Sequence, residues 1–218
     1  MKIKVNGITL NHEIIGQGKP LILLHGNQEG YYIFDLIKDL LAKHYEVHLI
    51  DSRNHGGSEY THDFSFETMT EDIKAYIDNL NLSPVYFYGF SDGGIIGLML
   101  ASKYPYLISK LMVSGVNANP FGLKKNLMKK INSGYEKNKS PYLKMMMEQP
   151  NITDKDLNAI KIPVLLTLGE FDLITKSHTK SILKQLTSGK LHIYQGLDHG
   201  SHLNNNQEFI KDLMDFFN

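Results

Sequence analysis

The chain has 218 residues, 42% of them hydrophobic, with a formal net charge of zero and no cysteine. That length and apolar content fit one globular domain, residues 1–218, with a sizeable core. The balanced charge offers no basic field for nucleic acid and no acidic tail, and the missing thiols exclude disulfides, a cysteine nucleophile and a thiolate metal site.

The opening MKIKVNGITLNHEIIG alternates apolar and polar residues and lacks the apolar core of a secretory signal. Asn6-Gly7 is a two-residue turn signal, so KIKV and ITLNHEII predict a hairpin. No apolar run reaches the roughly 18 residues that span a bilayer, so a cytoplasmic protein without membrane partners is expected, a monomer or homodimer. Abundant Lys and Asn with a single arginine, Arg53, fit an AT-rich bacterial genome.

After Gly16, Gly18 and Pro20 comes LILLH, a continuous apolar run suited to a strand buried on both faces. From there helical and strand patterns alternate. YYIFDLIKDLLAKH predicts a helix over 31–44 and EVHLI a strand; FETMTEDIKAYIDNL predicts a helix with Ser65 as N-cap. PVYFYGF, SKLMVSG, PVLLTLG and KLHIYQG predict further strands, with helices over DGGIIGLMLASKY, KSHTKSILKQL and NQEFIKDLMDFF. The order implies an α/β fold: a mostly parallel sheet, helices on both faces and an antiparallel N-terminal hairpin at one edge. One segment breaks the rhythm. Residues 117–161 are longer than a connection needs and carry nine lysines against four acids. FGLKKNLMKKI places Phe121, Leu123, Leu127 and Ile131 roughly on one helical face, so a short helical cap is expected there.

The chemistry centres on FYGFSDGGIIG, residues 87–97. A strand running straight into a helix leaves almost no loop, so the residue between them is forced into a strained conformation that only small neighbours tolerate. Gly89, Gly93 and Gly94 are those neighbours, and Ser91 is lifted above the carboxyl edge of the sheet with a helix N-terminus behind it. This is the G-x-S-x-G nucleophile elbow. A serine hydroxyl needs a base, and the base needs an orienting partner. In a parallel sheet such groups gather at the carboxyl ends of strands. PVLLTLG ends in EFDLI, offering Asp172, and KLHIYQG ends in LDHGSH, offering His199. His202 is the substitute base and Asp198 the rival acid.

The segments LLHGN, DSRNHGGS, GFSDGG, LGEFDLI and GLDHGSH fall in the order and spacing of the α/β-hydrolase superfamily. Within it the chain resembles the biphenyl hydrolase-like group, which includes valacyclovirase. The resemblance implies Ser91 as nucleophile, Asp172 as acid and His199 as base, and an oxyanion hole from the backbone N–H groups of Asn27 and Asp92. The cap is short for that family, so substrate preference does not transfer.

His25 is expected to brace its loop, and DSRNHGGS to form a strand-end turn held by Asp51 and Arg53. Asp92 reads either as a helix-terminus acid or as an anchor for a substrate's ammonium group, which the resemblance favours. Met145 and Met146 read as flexible packing or as part of a specificity pocket. The expectation is a serine hydrolase of a small carboxylic ester, with no metal or organic cofactor and no nucleic-acid partner. The alternatives are an α-amino-acid ester hydrolase or aminopeptidase-like enzyme, or a small-molecule sensor that turns over slowly.

Overall fold

A computed structural model describes residues 1–204 and 206–218. Eight strands form one sheet: β1 (Lys2–Val5), β2 (Ile8–Ile15), β3 (Lys19–Leu24), β4 (Tyr45–Ile50), β5 (Val85–Phe90), β6 (Ile108–Ser114), β7 (Val164–Gly169) and β8 (Gly189–Tyr194), in spatial order β1-β2-β4-β3-β5-β6-β7-β8. β2 runs antiparallel to both of its neighbours, and every pairing from β4 to β8 is parallel. Asn6 (φ 45°) and Gly7 (φ 79°) both take the left-handed conformation that a two-residue hairpin turn requires. The α/β fold class read from the sequence is the one observed.

Two apolar layers sandwich the sheet. On one face lie α2 (Phe66–Asn79), α3 (Asp92–Lys103), α6 (Asp154–Ala159) and α7 (Lys176–Gln185), which bury Ile73, Ile95, Leu157 and Ile182 among others. On the other lie α1 (Lys38–Leu41) and α8 (Gln207–Phe217), which bury Leu41, Phe209, Leu213 and Phe217. Phe209, Leu213 and Phe217 recur every four residues, so one stripe of α8 faces the sheet, each side chain contributing about 1.5–3 kcal/mol of burial. Ser65 caps α2 by accepting the Thr68 N–H at 3.1 Å.

The helix expected over 31–44 is interrupted. A 3₁₀ turn at Tyr31–Phe34 is followed by the single turn of α1. The Tyr31 N–H is drawn to Asp51 Oδ1 at 2.7 Å, and the Ile37 backbone (φ −121°, ψ −20°) breaks the helical path. Phe34, Ile37 and Leu41 still reach the core. Three anchors and one tether therefore override the local propensity.

The excursion between β6 and β7 divides in two. α4 (Lys125–Asn138) and α5 (Pro141–Glu148) stand over the carboxyl edge of the sheet around a small cluster of Leu123, Ile131, Leu168 and Ile174. α6 instead packs into the main core through Leu157 and Ile160. Because the central strands are parallel and in register, Leu24 pairs with Gly89, Phe90 with Ser114 and Gly169 with Tyr194. Their carboxyl ends share one rim. The loops that follow, carrying residues 25–30, Ser91, Gly115, Asp172 and His199, are held there together.

Candidate active site

Ser91 sits between β5 and α3 with φ 50° and ψ −115°, a strained conformation that costs roughly 1–3 kcal/mol. Glycines make the turn possible. A Cβ on Gly89 would lie 2.3 Å from the Gly93 carbonyl oxygen, and one on Gly93 would lie 2.1 Å from that of Leu24. The Ser91 N–H donates to the Ser114 carbonyl at 2.8 Å, and its own carbonyl accepts from Gly94 and Ile95. The hydroxyl takes no part in capping α3.

His199 Nε2 lies 3.1 Å from Ser91 Oγ, and His199 Nδ1 lies 2.7 Å from Asp172 Oδ1. Asp172 is buried, and its carboxylate also accepts the N–H groups of Ile174 (2.9 Å) and Gly169 (3.3 Å). Burial pushes this carboxyl up, but the His199 hydrogen bond and charge together with those two N–H groups outweigh it, holding it below the ordinary aspartate range. Its ionised form accepts a proton-bearing Nδ1. The lone pair of His199 is therefore on Nε2, facing the serine.

The two rival residues have other partners. His202 is enclosed by Phe90, Tyr194 and Phe209, and its Nε2 lies 3.2 Å from the Tyr88 hydroxyl. Burial and the nearby His199 push it down to about 4, so it is neutral. Asp198 accepts the N–H groups of Gly200 and Ser201 (3.3 and 3.0 Å) and closes the histidine loop.

Beside Ser91 runs the 25–30 loop. His25 Nε2 accepts the Ser52 N–H at 3.0 Å, so its Nδ1 carries the proton, which it donates to the Gly26 carbonyl at 2.7 Å. That carbonyl belongs to the peptide whose N–H is on Asn27. Among the described residues, neither the Asn27 nor the Asp92 backbone N–H finds an internal acceptor. The Asn27 side chain is engaged elsewhere, its Nδ2 donating to Asp92 Oδ2 at 2.9 Å.

A cavity of about 30 Å³ adjoins Ser91 and His199. Ile95, Leu127, Met146 and Ile174 give it apolar walls, while Asp92, Asn117 and Gln149 add polar ones. Burial pushes the Asp92 carboxyl up to about 6, against the Asn27 hydrogen bond and the nearby His199, which act the other way. Met146 lines this cavity and Met145 does not: Met145 is 1% exposed and packs into the sheet core. Adjacent helical positions point about 100° apart, so only one of the pair can face the cavity.

Several neighbours carried no signal in the sequence. Gln149 Oε1 accepts the Phe66 N–H (3.0 Å) and its Nε2 reaches the Phe64 carbonyl (3.3 Å), tying the cap to the head of α2. Glu29 Oε2 accepts the Gly26 N–H at 2.9 Å and so closes the 25–30 loop on itself. His55 is buried with its Nδ1 on the Arg53 carbonyl (2.8 Å). Arg53 itself grips Asp72 through Nε and NH2, at 2.5 and 2.7 Å. Among the described residues no cluster of three or more His, Asp or Glu side chains is placed to hold a metal ion, and no helix is long and apolar enough to cross a membrane.

Known proteins share this arrangement of elements. The chain is 27% identical to serine hydrolase BPHL of Mus musculus over 99% of this chain and 85% of that protein, and its Homo sapiens counterpart matches equally. The esterase EaEST from Exiguobacterium antarcticum superposes with a TM-score of 0.86 at 19% identity, over 99% of this chain and 98% of that one. The enol-lactonase from Burkholderia xenovorans LB400 gives 0.84 at 19% identity, over 100% and 99%. The family described as alpha/beta hydrolase fold matches residues 19–135, from β3 through the elbow into the cap. With that match spanning more than half of the chain, and with the elbow on a mostly parallel sheet, the protein belongs to the alpha/beta hydrolase fold family.

Proposed function

We propose that the protein is a serine hydrolase that cleaves small carboxylic esters through an acyl-enzyme. The observation that carries this reading is the pair of hydrogen bonds from Ser91 to His199 (3.1 Å) and from His199 to Asp172 (2.7 Å), beside two unengaged N–H groups. His199 Nε2 takes the Ser91 proton as Oγ attacks the carbonyl carbon, and the electron pair moves onto the carbonyl oxygen. The Asn27 and Asp92 N–H groups receive that oxyanion; one such donor is worth about 3–4 kcal/mol. Collapse expels the alcohol, protonated by the imidazolium. A water molecule, deprotonated by the same nitrogen, then releases the acid and restores Ser91. Asp172 holds the tautomer and stabilises the imidazolium without taking its proton.

The cavity supports a short acyl group. Its 30 Å³ holds two or three water-sized groups at roughly 10–15 Å³ each, so acetyl esters should outrun butyryl esters, and octanoyl esters should be poor. The test uses a serine-reactive fluorophosphonate and a 4-nitrophenyl acyl series, with Ser91→Ala as control. Labelling and turnover lost in the variant support the hydrolase. Labelling without turnover of any ester favours the slow sensor, and no labelling refutes the reading.

One observation favours a narrower substrate. Asp92 places a carboxylate in the wall of the acyl cavity. An α-amino acyl group would set its ammonium against this carboxylate. Comparing kcat/KM for an α-amino ester and its deaminated analogue, with Asp92→Asn alongside, tests it; equal rates in the parent protein remove the idea.

A further inference from the structure

Glu29 takes no part in the chemistry above, yet its carboxylate lies very close to it. The position that a Gly26 Cβ would occupy is 2.7 Å from Glu29 Oε2 and 3.1 Å from Ser91 Cβ. Only the bare edge of Gly26 separates the acid from the nucleophile. Burial raises this carboxyl above the ordinary glutamate range, against the Gly26 N–H and His199, which pull it down. Among the described residues its hydrogen-bond donor is that one backbone N–H. Among the described residues no lysine or arginine lines either groove that Glu29 borders, and His199 is already committed to Asp172. An uncompensated negative charge beside an oxyanion hole opposes the oxyanion. Its presence needs a compensating partner.

A second cavity supplies the place for one. On the outer side of Glu29 a groove of about 240 Å³ runs between Gln28 and the turn at Asn54–Gly56, with Tyr60 and Tyr142 along it. That volume is below the roughly 300–1,000 Å³ of a whole ligand site, as suits one portion of a substrate. Its chemistry is uniform in sign. The lining holds one carboxylate, two phenol rings and no cationic side chain. Burial pushes the His55 imidazole down, away from its charged form, and its Nδ1–H is spent on the Arg53 carbonyl. Arg53, the nearest guanidinium in the chain, is turned away onto Asp72. The cap closes the far end. The Tyr142 hydroxyl donates to the Asn54 carbonyl, and its ring stands edge-on to His55 and Phe64 at 5.2 and 4.9 Å. Negative charge together with aromatic faces is the combination that holds ammonium ions. Glu29 also borders a second groove, lined by Tyr32, Ile33, Leu36, Phe90, Leu203 and Asn204, where aliphatic side chains outnumber the two rings.

We infer that the groove of Glu29, Tyr60 and Tyr142 is the leaving-group subsite, and that it selects esters whose alcohol portion carries a positive charge of ammonium chemistry. This rests on the ester-hydrolase reading. The acyl group occupies the cavity of Asp92, Leu127 and Met146, and the alcohol extends past Asn27 and Gln28 to Glu29. The cation and the Glu29 carboxylate then offset each other as the oxyanion forms, so the preference acts on the transition state and appears in kcat/KM.

Acetylcholine and 3,3-dimethylbutyl acetate test it, because they share the acetyl group and the leaving-group shape and differ in the charged nitrogen. The expected kcat/KM ratio favours the cationic ester by about tenfold at low ionic strength, the size of one cation–π or partly desolvated ion contact. It should shrink in about 1 M salt, where the screening length is about 3 Å, and fall to near one in Glu29→Gln. Glutamine keeps an oxygen for the Gly26 N–H, so a merely structural role would lower both esters together and leave the ratio intact. A parent ratio at or below one overturns the inference, as does a ratio unchanged in Glu29→Gln or one abolished by Asp92→Asn instead. Should Glu29→Gln fail to fold, the salt dependence and competitive inhibition of 4-nitrophenyl acetate hydrolysis by choline decide it in the parent protein. Turnover of 4-nitrophenyl acetate without a cation preference defeats this inference alone; no turnover of any ester defeats the hydrolase reading with it.

Discussion

Gly115 follows β6 with φ +63°, and a Cβ placed on it would lie 2.6 Å from His199 Cε1 and 2.8 Å from Nδ1. Gly115→Ala therefore acts on the imidazole directly. Ordinary contact begins at 3.4 Å, so the ring must retreat by about 0.8 Å. A movement of that size cannot keep both the 2.7 Å bond to Asp172 and the 3.1 Å bond to Ser91. Misplacing a reacting group by about 1 Å costs on the order of 10² in rate. The left-handed backbone adds roughly 1–2 kcal/mol of strain for a residue with a Cβ, or about 2–8 °C in Tm for a chain of this size. Gly7→Ala separates the two effects. It carries the same backbone strain (φ +79°) with nothing within 4 Å of the added carbon, in a hairpin turn away from the rim. The expected outcome is a similar loss of Tm in both variants, with kcat on 4-nitrophenyl acetate falling about 100-fold in Gly115→Ala alone. Parent-like kcat in Gly115→Ala would show that turnover does not depend on the imidazole standing where it does, and would refute the argument.

Asp172→Asn should fold and bind with little change in KM, while kcat near neutral pH falls by about 10⁴, because the amide no longer enforces the productive tautomer; steady-state kinetics checks this. Asp92→Asn should stabilise the protein above pH 6. Burial raises the Asp92 carboxyl from 3.8 to about 6, so the folded state binds its proton more tightly and loses stability as pH rises from about 4 to about 6. Above that window the cost is about 3 kcal/mol. Calorimetry should find Asp92→Asn several degrees more stable than the parent at pH 8, and the gap should close near pH 4. In the core, the Tyr76 hydroxyl meets His12 Nδ1 and His48 Nδ1, each at 2.9 Å, while His48 Nε2 donates to Glu46. Tyr76→Phe strands both imidazoles at a cost of about 2–3 kcal/mol, so Tm should drop by roughly 4–12 °C while activity measured well below Tm is kept.

The sheet was legible because its strands are extreme. Leu21 to Leu24 are fully buried, and a run of that kind has no competing reading once Gly and Pro bound it. The elbow was legible because close backbone approach admits only glycine at positions 89 and 93. His199 stood out among ten histidines because the parallel sheet restricts candidates to strand ends. Other parts depend on contacts that leave no trace in spacing. In α5 the run Met145-Met146-Met147 is apolar at every step, so periodicity could not say which methionine faces the cavity. The 31–44 segment has a helical pattern, but a tether to Asp51 twenty residues away reshapes its start. Glu29 gives no signal in spacing, since its partner is the backbone of a glycine three residues earlier.

Several costly features of this molecule share one rim. Ser91 holds a strained backbone, Asp92 keeps a carboxyl in a dry wall, and Glu29 holds a charge against a single N–H. Among the described residues His55 Nε2 and His202 Nδ1 are buried without partners, a state that costs about 1–3 kcal/mol per polar group. None of these helps the chain fold. Each can persist because the strands beneath are over-determined: β3 to β8 pair in an unbroken parallel series, and the central strands are buried by apolar layers on both faces. Relieving one of these costs at the rim should therefore raise stability, whereas adding one there should lower it together with turnover. Asp92→Asn and Gly115→Ala are opposite probes of that division, since the first relieves a cost of the site and the second adds one.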